Sequence, residues 1–141
     1  MSARKLTRKA KDTVAMRQFG LCGYCTSVLT DSAQIDHMDE NRCNDAWENL
    51  IASCCNCHGD KTQHYRKKRT TQLEAMLENG RRNKAAWDDE WANDAEEHWD
   101  RLPTWLQGRV TQWSVRVYAA RQRQTREGTV EPFEKYRYNP R

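Results

Sequence analysis

The 141-residue sequence predicts a small α+β domain pinned by a four-cysteine metal site, with a helix before it and a helical extension after it. Three observations lead there. Two C-x2-C pairs, Cys22/Cys25 and Cys54/Cys57, lie 28 residues apart. Short β-like apolar clusters sit between them, whereas helical patterns flank them. The composition, 37% hydrophobic and 31% charged with a mean hydropathy of −1.11, leaves little apolar material for a large core, so a further constraint is needed.

Residues 4–19 carry Leu6, Val14, Ala15 and Phe19 for one side of a helix, and Gly20 supplies a stop. A cysteine turn follows at 22–25. Val28-Leu29 and Ile35, split by the turn-forming Thr30-Asp31-Ser32, predict a hairpin. Residues 39–48 are polar and irregular, and NLIAS returns to an extended apolar run. A helix is expected from about Asn56 or His58 to about Gly80. Beyond it, Trp87, Trp91, Ala95 and Trp99 recur every four residues and predict an aromatic stripe on an acidic helix. Pro103 suits the first turn of a last helix, whose apolar stripe would be Leu102, Leu106, Val110, Trp113 and Val117. Both stripes read as packing surfaces rather than base-stacking platforms. Residues 124–141 show no clear pattern and read as a tail open to disorder.

The net charge is only +4, but it is unevenly spread. Residues 1–17 set Arg4, Lys5, Arg8, Lys9, Lys11 and Arg17 against Asp12 alone. Lys61 and the run Arg66, Lys67, Lys68, Arg69 form a second basic block; residues 88–100 then hold seven acids and no Lys or Arg. Arg109, Arg116 and Arg123, seven apart, would share one face of the last helix. Separated basic blocks suit a polyanion, although charge runs are also ordinary solvated faces. The N-terminus lacks the apolar core of a signal peptide, and no run approaches membrane-spanning length. A reducing cytoplasm is therefore expected, where six cysteines argue for metal ligation over disulfides.

Within Cys54-Cys55-Asn56-Cys57, only Cys54 and Cys57 repeat the spacing of Cys22 and Cys25. Such a knuckle lets two thiolates reach one ion, and two knuckles complete a tetrahedral zinc. The expected ligands are Cys22, Cys25, Cys54 and Cys57, leaving Cys43 and Cys55 as small hydrophobes; Cys43 replacing one ligand is the minor alternative. Four thiolates saturate zinc, so this ion is structural and does not by itself make an enzyme.

Between and just after the knuckles stand Asp36-His37, Asn49-Leu50, His58 and Lys61. With these residues in this order, LCGYC…IDHM…ENLIASCCNCHGDK resembles the zinc-containing branch of the HNH endonucleases, the ββα-metal nucleases. The resemblance covers residues 22–61 and implies a metal-dependent nuclease hydrolysing phosphodiesters, with products carrying 5′ phosphate and 3′ hydroxyl. It implies Asp36 and His58 as ligands of a catalytic divalent cation, magnesium by expectation, with manganese or nickel as substitutes. His37 would be the general base, Asn49 would pin the loop and orient that histidine, and Lys61 would face the scissile phosphate. His64 and His98 are expected to stand outside the site.

On this reading residues 1–20 are a basic N-terminal helix, 21–80 the zinc-bound nuclease core, 81–123 a helical extension and 124–141 the tail. The partner would be DNA, held along its backbone by Arg66, Lys67, Lys68, Arg69, Arg109, Arg116 and Arg123. No small-molecule cofactor and no membrane are expected, and the compartment would be a bacterial or phage-infected cytoplasm. A monomer would nick; self-association through the acidic tryptophan helix would allow a double-strand cut. Homing, restriction and phage packaging are the roles such proteins take. The sequence departs from the family after Asp36-His37, where MDENRCNDAWE replaces the usual proline and glycines, and Asp39 and Glu40 add carboxylates near the metal. Two other readings stand beside this one: a non-catalytic zinc module that binds nucleic acid or protein, and an HNH nuclease acting on RNA.

Overall fold

A computed structural model describes residues 6–93 and 98–126. Helix α1 (Arg8–Arg17) is capped by Thr7, whose hydroxyl accepts the Ala10 N–H at 3.1 Å. It ends as Phe19 (φ 56°) and Gly20 (φ 72°) enter the left-handed region, with the Gly20 N–H returning to the Ala15 carbonyl. Gly20 serves a second purpose: a Cβ there would lie 2.3 Å from Pro103. Leu6, Val14, Ala15 and Phe19 are all buried, as their spacing predicts.

The expected hairpin is not the one that forms. Val28 pairs back across the first cysteine knuckle in a single bridge to Leu21. Strand β1 (Gln34–His37) instead pairs antiparallel with β2 (Leu50–Ser53), in the register Asp36 opposite Ile51 and His37 opposite Leu50. Burial decides the matter. All four β2 residues are buried, so their backbone polar groups need partners within the protein, and β1 supplies them along one edge. Gln18, fully buried at the end of α1, covers β2 from elsewhere in the fold. Its amide accepts the Ala52 N–H at 2.8 Å and donates to the Ala52 carbonyl at 2.9 Å.

The helix expected from Asn56 to Gly80 is two helices. α2 (Cys55–Arg66) stops where Lys68 turns left-handed (φ 55°) and the Arg69 N–H returns to the His64 carbonyl. α3 (Thr70–Trp91) then runs on through Gly80, which is no stop. A Cβ at Gly80 would sit 3.1 Å from Ile51, Met38 and Tyr24, so its bare backbone lets α3 lie close to the sheet and the knuckle.

The expected acidic tryptophan helix also divides. Trp87 and Trp91 close α3, Trp99 lies on α4 (His98–Arg101), and Ala95 falls outside the described residues. Trp91 is the hub of the core: it stacks on Phe19 at 4.7 Å, meets Tyr118 edge-on at 4.8 Å and donates its indole N–H to the Arg17 carbonyl. His98 packs on Trp91 and bonds the Glu90 carbonyl, a packing role.

The last expected helix is interrupted too. Pro103 caps α5 (Thr104–Gln107), and α6 (Gln112–Arg126) starts afresh after a turn. Leu102 and Leu106 are buried as expected, but Trp113 and Val117 are 73% and 47% exposed. The inward face of α6 is Val115, Tyr118, Ala119 and Gln122, because the break resets the helical phase. Of the expected tail, residues 124–126 belong to α6 and the remainder lies outside the described residues.

Candidate metal centre and active-site cleft

The ligand atoms of Cys22, Cys25, Cys54 and Cys57 all lie within 4.8 Å of one another. Cys25 Sγ and Cys54 Sγ are 3.8 Å apart, and thiolates on a tetrahedral zinc with bonds of about 2.3 Å stand about 3.8 Å apart. Backbone N–H groups support the sulfurs: that of Cys54 points at Cys22 Sγ (3.4 Å) and that of Cys57 at Cys54 Sγ (3.5 Å). Cys54 is also the N-cap of α2, so the site anchors the helix start. Burial holds the Cys22 thiol above its ordinary value. At Cys25 burial acts the same way but is outweighed by Ser27, through hydroxyl and backbone, and by the Cys22 and Cys57 thiols, which bring it down to about 6. The donor set suits zinc. Cys43 and Cys55 lie outside this group and are exposed.

One residue past the cluster, His58 faces a second site. A cleft of about 370 Å³ is lined by Asp36, His37, Glu40, Arg42, His58 and Thr62. Asp36 is buried on β1, and its two oxygens have different surroundings. Oδ2 accepts the Tyr24 hydroxyl at 2.7 Å and pairs with Lys61 at 3.2 Å. Oδ1 faces His58 Nδ1 at 3.7 Å, too long for a hydrogen bond and short enough for one cation to touch both. His58 Nδ1 is buried without a hydrogen-bond partner among the described residues, an orphaned ring nitrogen of the kind a metal can satisfy. Burial first, then the Asp36 charge and hydrogen bond, push the Tyr24 phenol well up, so it remains a donor to that carboxylate.

Lys61 departs from expectation. Rather than facing a phosphate it is fully buried, paired with Asp36 and Glu40 and donating to the His37 carbonyl at 3.3 Å. A buried ammonium needs anionic partners, and these two carboxylates supply them. Two negative charges against one positive leave an excess that a divalent cation can neutralise.

His37 lies beside Asp36 on β1, and its Nε2 is 2.9 Å from Asp45 Oδ1. Asn49 does not bond the His37 ring. Its side chain accepts the Asp39 N–H (3.0 Å) and donates to Asp39 Oδ1 and to the Asn44 carbonyl, each at 2.9 Å, pinning the loop between the strands. Burial works against the Asp39 carboxylate, but bonds from Asn44, the Asn41 N–H and Asn49 hold its pKa below the ordinary value.

Among the basic residues, Arg66, Lys67, Lys68 and Arg69 are exposed where α2 turns into α3, and Arg116 is exposed on α6. Arg109 lies outside α6, pairs with Asp12 and Asp31 and covers Trp105, so it does not share a helical face with Arg116 and Arg123. Arg17, counted in the N-terminal basic block, is buried against the Trp47 ring and the Trp47 and Leu50 carbonyls. Tyr24, Asp45 and Arg42 escaped sequence reasoning, because none stands at a spacing that marks it.

An antiparallel strand pair feeding a helix is clamped by four cysteines, with a carboxylate and two histidines in the cleft beside it, the arrangement of a ββα-metal core. Residues 22–64 match the HNH endonuclease family and are similar to its domain. No curated protein and no solved structure matches the chain. No helix among the described residues is long and apolar enough to cross a membrane.

Proposed function

We propose that the protein is a metal-dependent DNA endonuclease of the HNH type. The observation that carries this reading is the convergence of Asp36, His37 and His58 on one cleft inside the HNH segment. Asp36 Oδ1 and His58 Nδ1 would hold a divalent cation, magnesium being the expected ion, which when bound supplies Lewis-acid stabilisation of charge on the phosphate. His37 takes a proton from water as its oxygen bonds to phosphorus. The bond to the 3′ oxygen breaks, and that oxygen leaves with a proton from solvent. Lys61 sits beneath the site as the counterion of Asp36 and holds its carboxylate aimed. The exposed Arg66–Arg69 run and Arg116, with Arg42 at the cleft, supply phosphate contacts that carry no sequence preference.

The test is a cleavage assay on supercoiled plasmid, linear duplex, single-stranded DNA and RNA, with and without magnesium or manganese. Metal-dependent cutting of DNA is expected, and His37→Ala should lower it by about 10²- to 10⁴-fold while leaving zinc content unchanged. Cleavage that survives this substitution, or failure to cut any DNA with either metal, rejects the reading.

A further inference from the structure

The only side-chain partner of the His37 ring among the described hydrogen bonds is Asp45, and no motif points to that residue. The geometry points to Asp45 as the positioning residue for His37, an inference that rests on the nuclease reading above. The two groups meet at 2.9 Å, with side-chain exposures of 14% for His37 and 10% for Asp45. An ionised carboxylate only accepts, so the contact places the ring proton on Nε2 and leaves the lone pair on Nδ1. A general base needs that lone pair, and it needs the ring held still while a proton arrives. Once His37 has taken the proton from water, the same carboxylate stabilises the imidazolium.

The loop carries Asp45 on a braced frame. Its neighbour Asn44 is held by four bonds: its N–H donates to the Asn41 carbonyl at 2.9 Å, its carbonyl accepts Asn49 Nδ2, its side-chain N–H₂ donates to Asp39 Oδ2 at 2.8 Å, and its side-chain oxygen accepts the Ala46 N–H at 3.2 Å. Trp47, two residues further on, is buried in the core. Asn49 thus acts on His37 at one remove, by fixing the backbone that presents Asp45. On the opposite side the His37 carbonyl is tied to Lys61. The ring's orientation is set from the loop and its backbone from α2.

The experiment joins NMR and kinetics on the full zinc-loaded chain. With ¹⁵N-labelled histidine at pH about 8.5, well above the ordinary histidine pKa of about 6.5, the His37 resonances are identified by their absence from His37→Gln. The Nε2–H tautomer is expected in the unmodified protein, and Asp45→Asn should shift the population towards Nδ1–H. In the plasmid assay with magnesium, Asp45→Asn should lower kcat by about 10²-fold, with KM changed by less than about twofold. Asp45→Glu should recover part of the loss. An Nδ1–H tautomer in the unmodified protein overturns the inference. So does an Asp45→Asn enzyme that cuts at the unmodified rate. If the unmodified protein cuts nothing, the nuclease reading falls, whereas the tautomer still judges the Asp45 contact.

Discussion

The four-cysteine cluster and the Asp36/His58 cleft share helix α2, and Cys57 and His58 are chain neighbours, yet the two are built on opposite terms. The cluster gathers four like, soft donors within 4.8 Å and closes on itself. The cleft sets Asp36 Oδ1 3.7 Å from His58 Nδ1, two donors that would leave the other positions of an ion to ligands from outside. A closed site contributes folding energy, whereas an open one holds chemistry. Placing both at one helix start ties the position of His58 to the cysteine cluster. Lys61, one turn further along α2, then sets the charge beneath Asp36.

That contrast can be broken at either end. The largest effect is expected at the cluster. Cys57→Ser, or removal of zinc with a strong chelator, should abolish cooperative unfolding followed by circular dichroism, since structural zinc binding is worth on the order of 10 kcal/mol. Cys55→Ser, which touches only an exposed thiol, should leave both zinc content and melting unchanged. If the two serine variants behave alike, the choice of ligands is wrong.

At the cleft the effects should fall on chemistry and spare the fold. His58→Ala should raise the magnesium concentration needed for half-maximal cleavage by about 10-fold or more, with an unaltered melting curve. Lys61→Met sits between the two regimes. Stripping two carboxylates of a buried cation should cost about 3–5 kcal/mol in denaturant titrations while zinc stays bound. Unchanged stability with a raised KM would instead restore Lys61 to the phosphate.

The smallest effect is a pH dependence of the loop. The folded pKa of Asp39 lies below its unfolded value, so its contribution is fully present above about pH 4 and is lost as pH falls through the folded value. Amide exchange at Asn41, whose N–H bonds Asp39 Oδ1, should accelerate there before the sheet amides do. Simultaneous exchange of loop and sheet would mean that the loop has no separate hold.

Much of the candidate site was legible in the chain because its signals are local. A knuckle, an Asp-His pair on one strand, or a histidine following a cysteine each depends on spacing along the backbone, and backbone geometry travels with sequence. Element boundaries were less legible. Nothing in Arg66-Lys67-Lys68-Arg69 carries a glycine or proline to announce that α2 ends at Arg66. Gly80 looked like a stop and proved to be a point of close approach.

By itself, then, the sequence determined the cysteine set, the order of the catalytic candidates and the presence of an amphipathic helix before them, all properties of neighbours along the chain. Only the tertiary structure decided that β1 pairs with β2, that Gln18 stands in against the strand, that Lys61 is a buried counterion and that Asp45 reaches His37. These choices join residues that no local spacing relates, and each is made by the need to satisfy a polar group once the apolar core has closed around it.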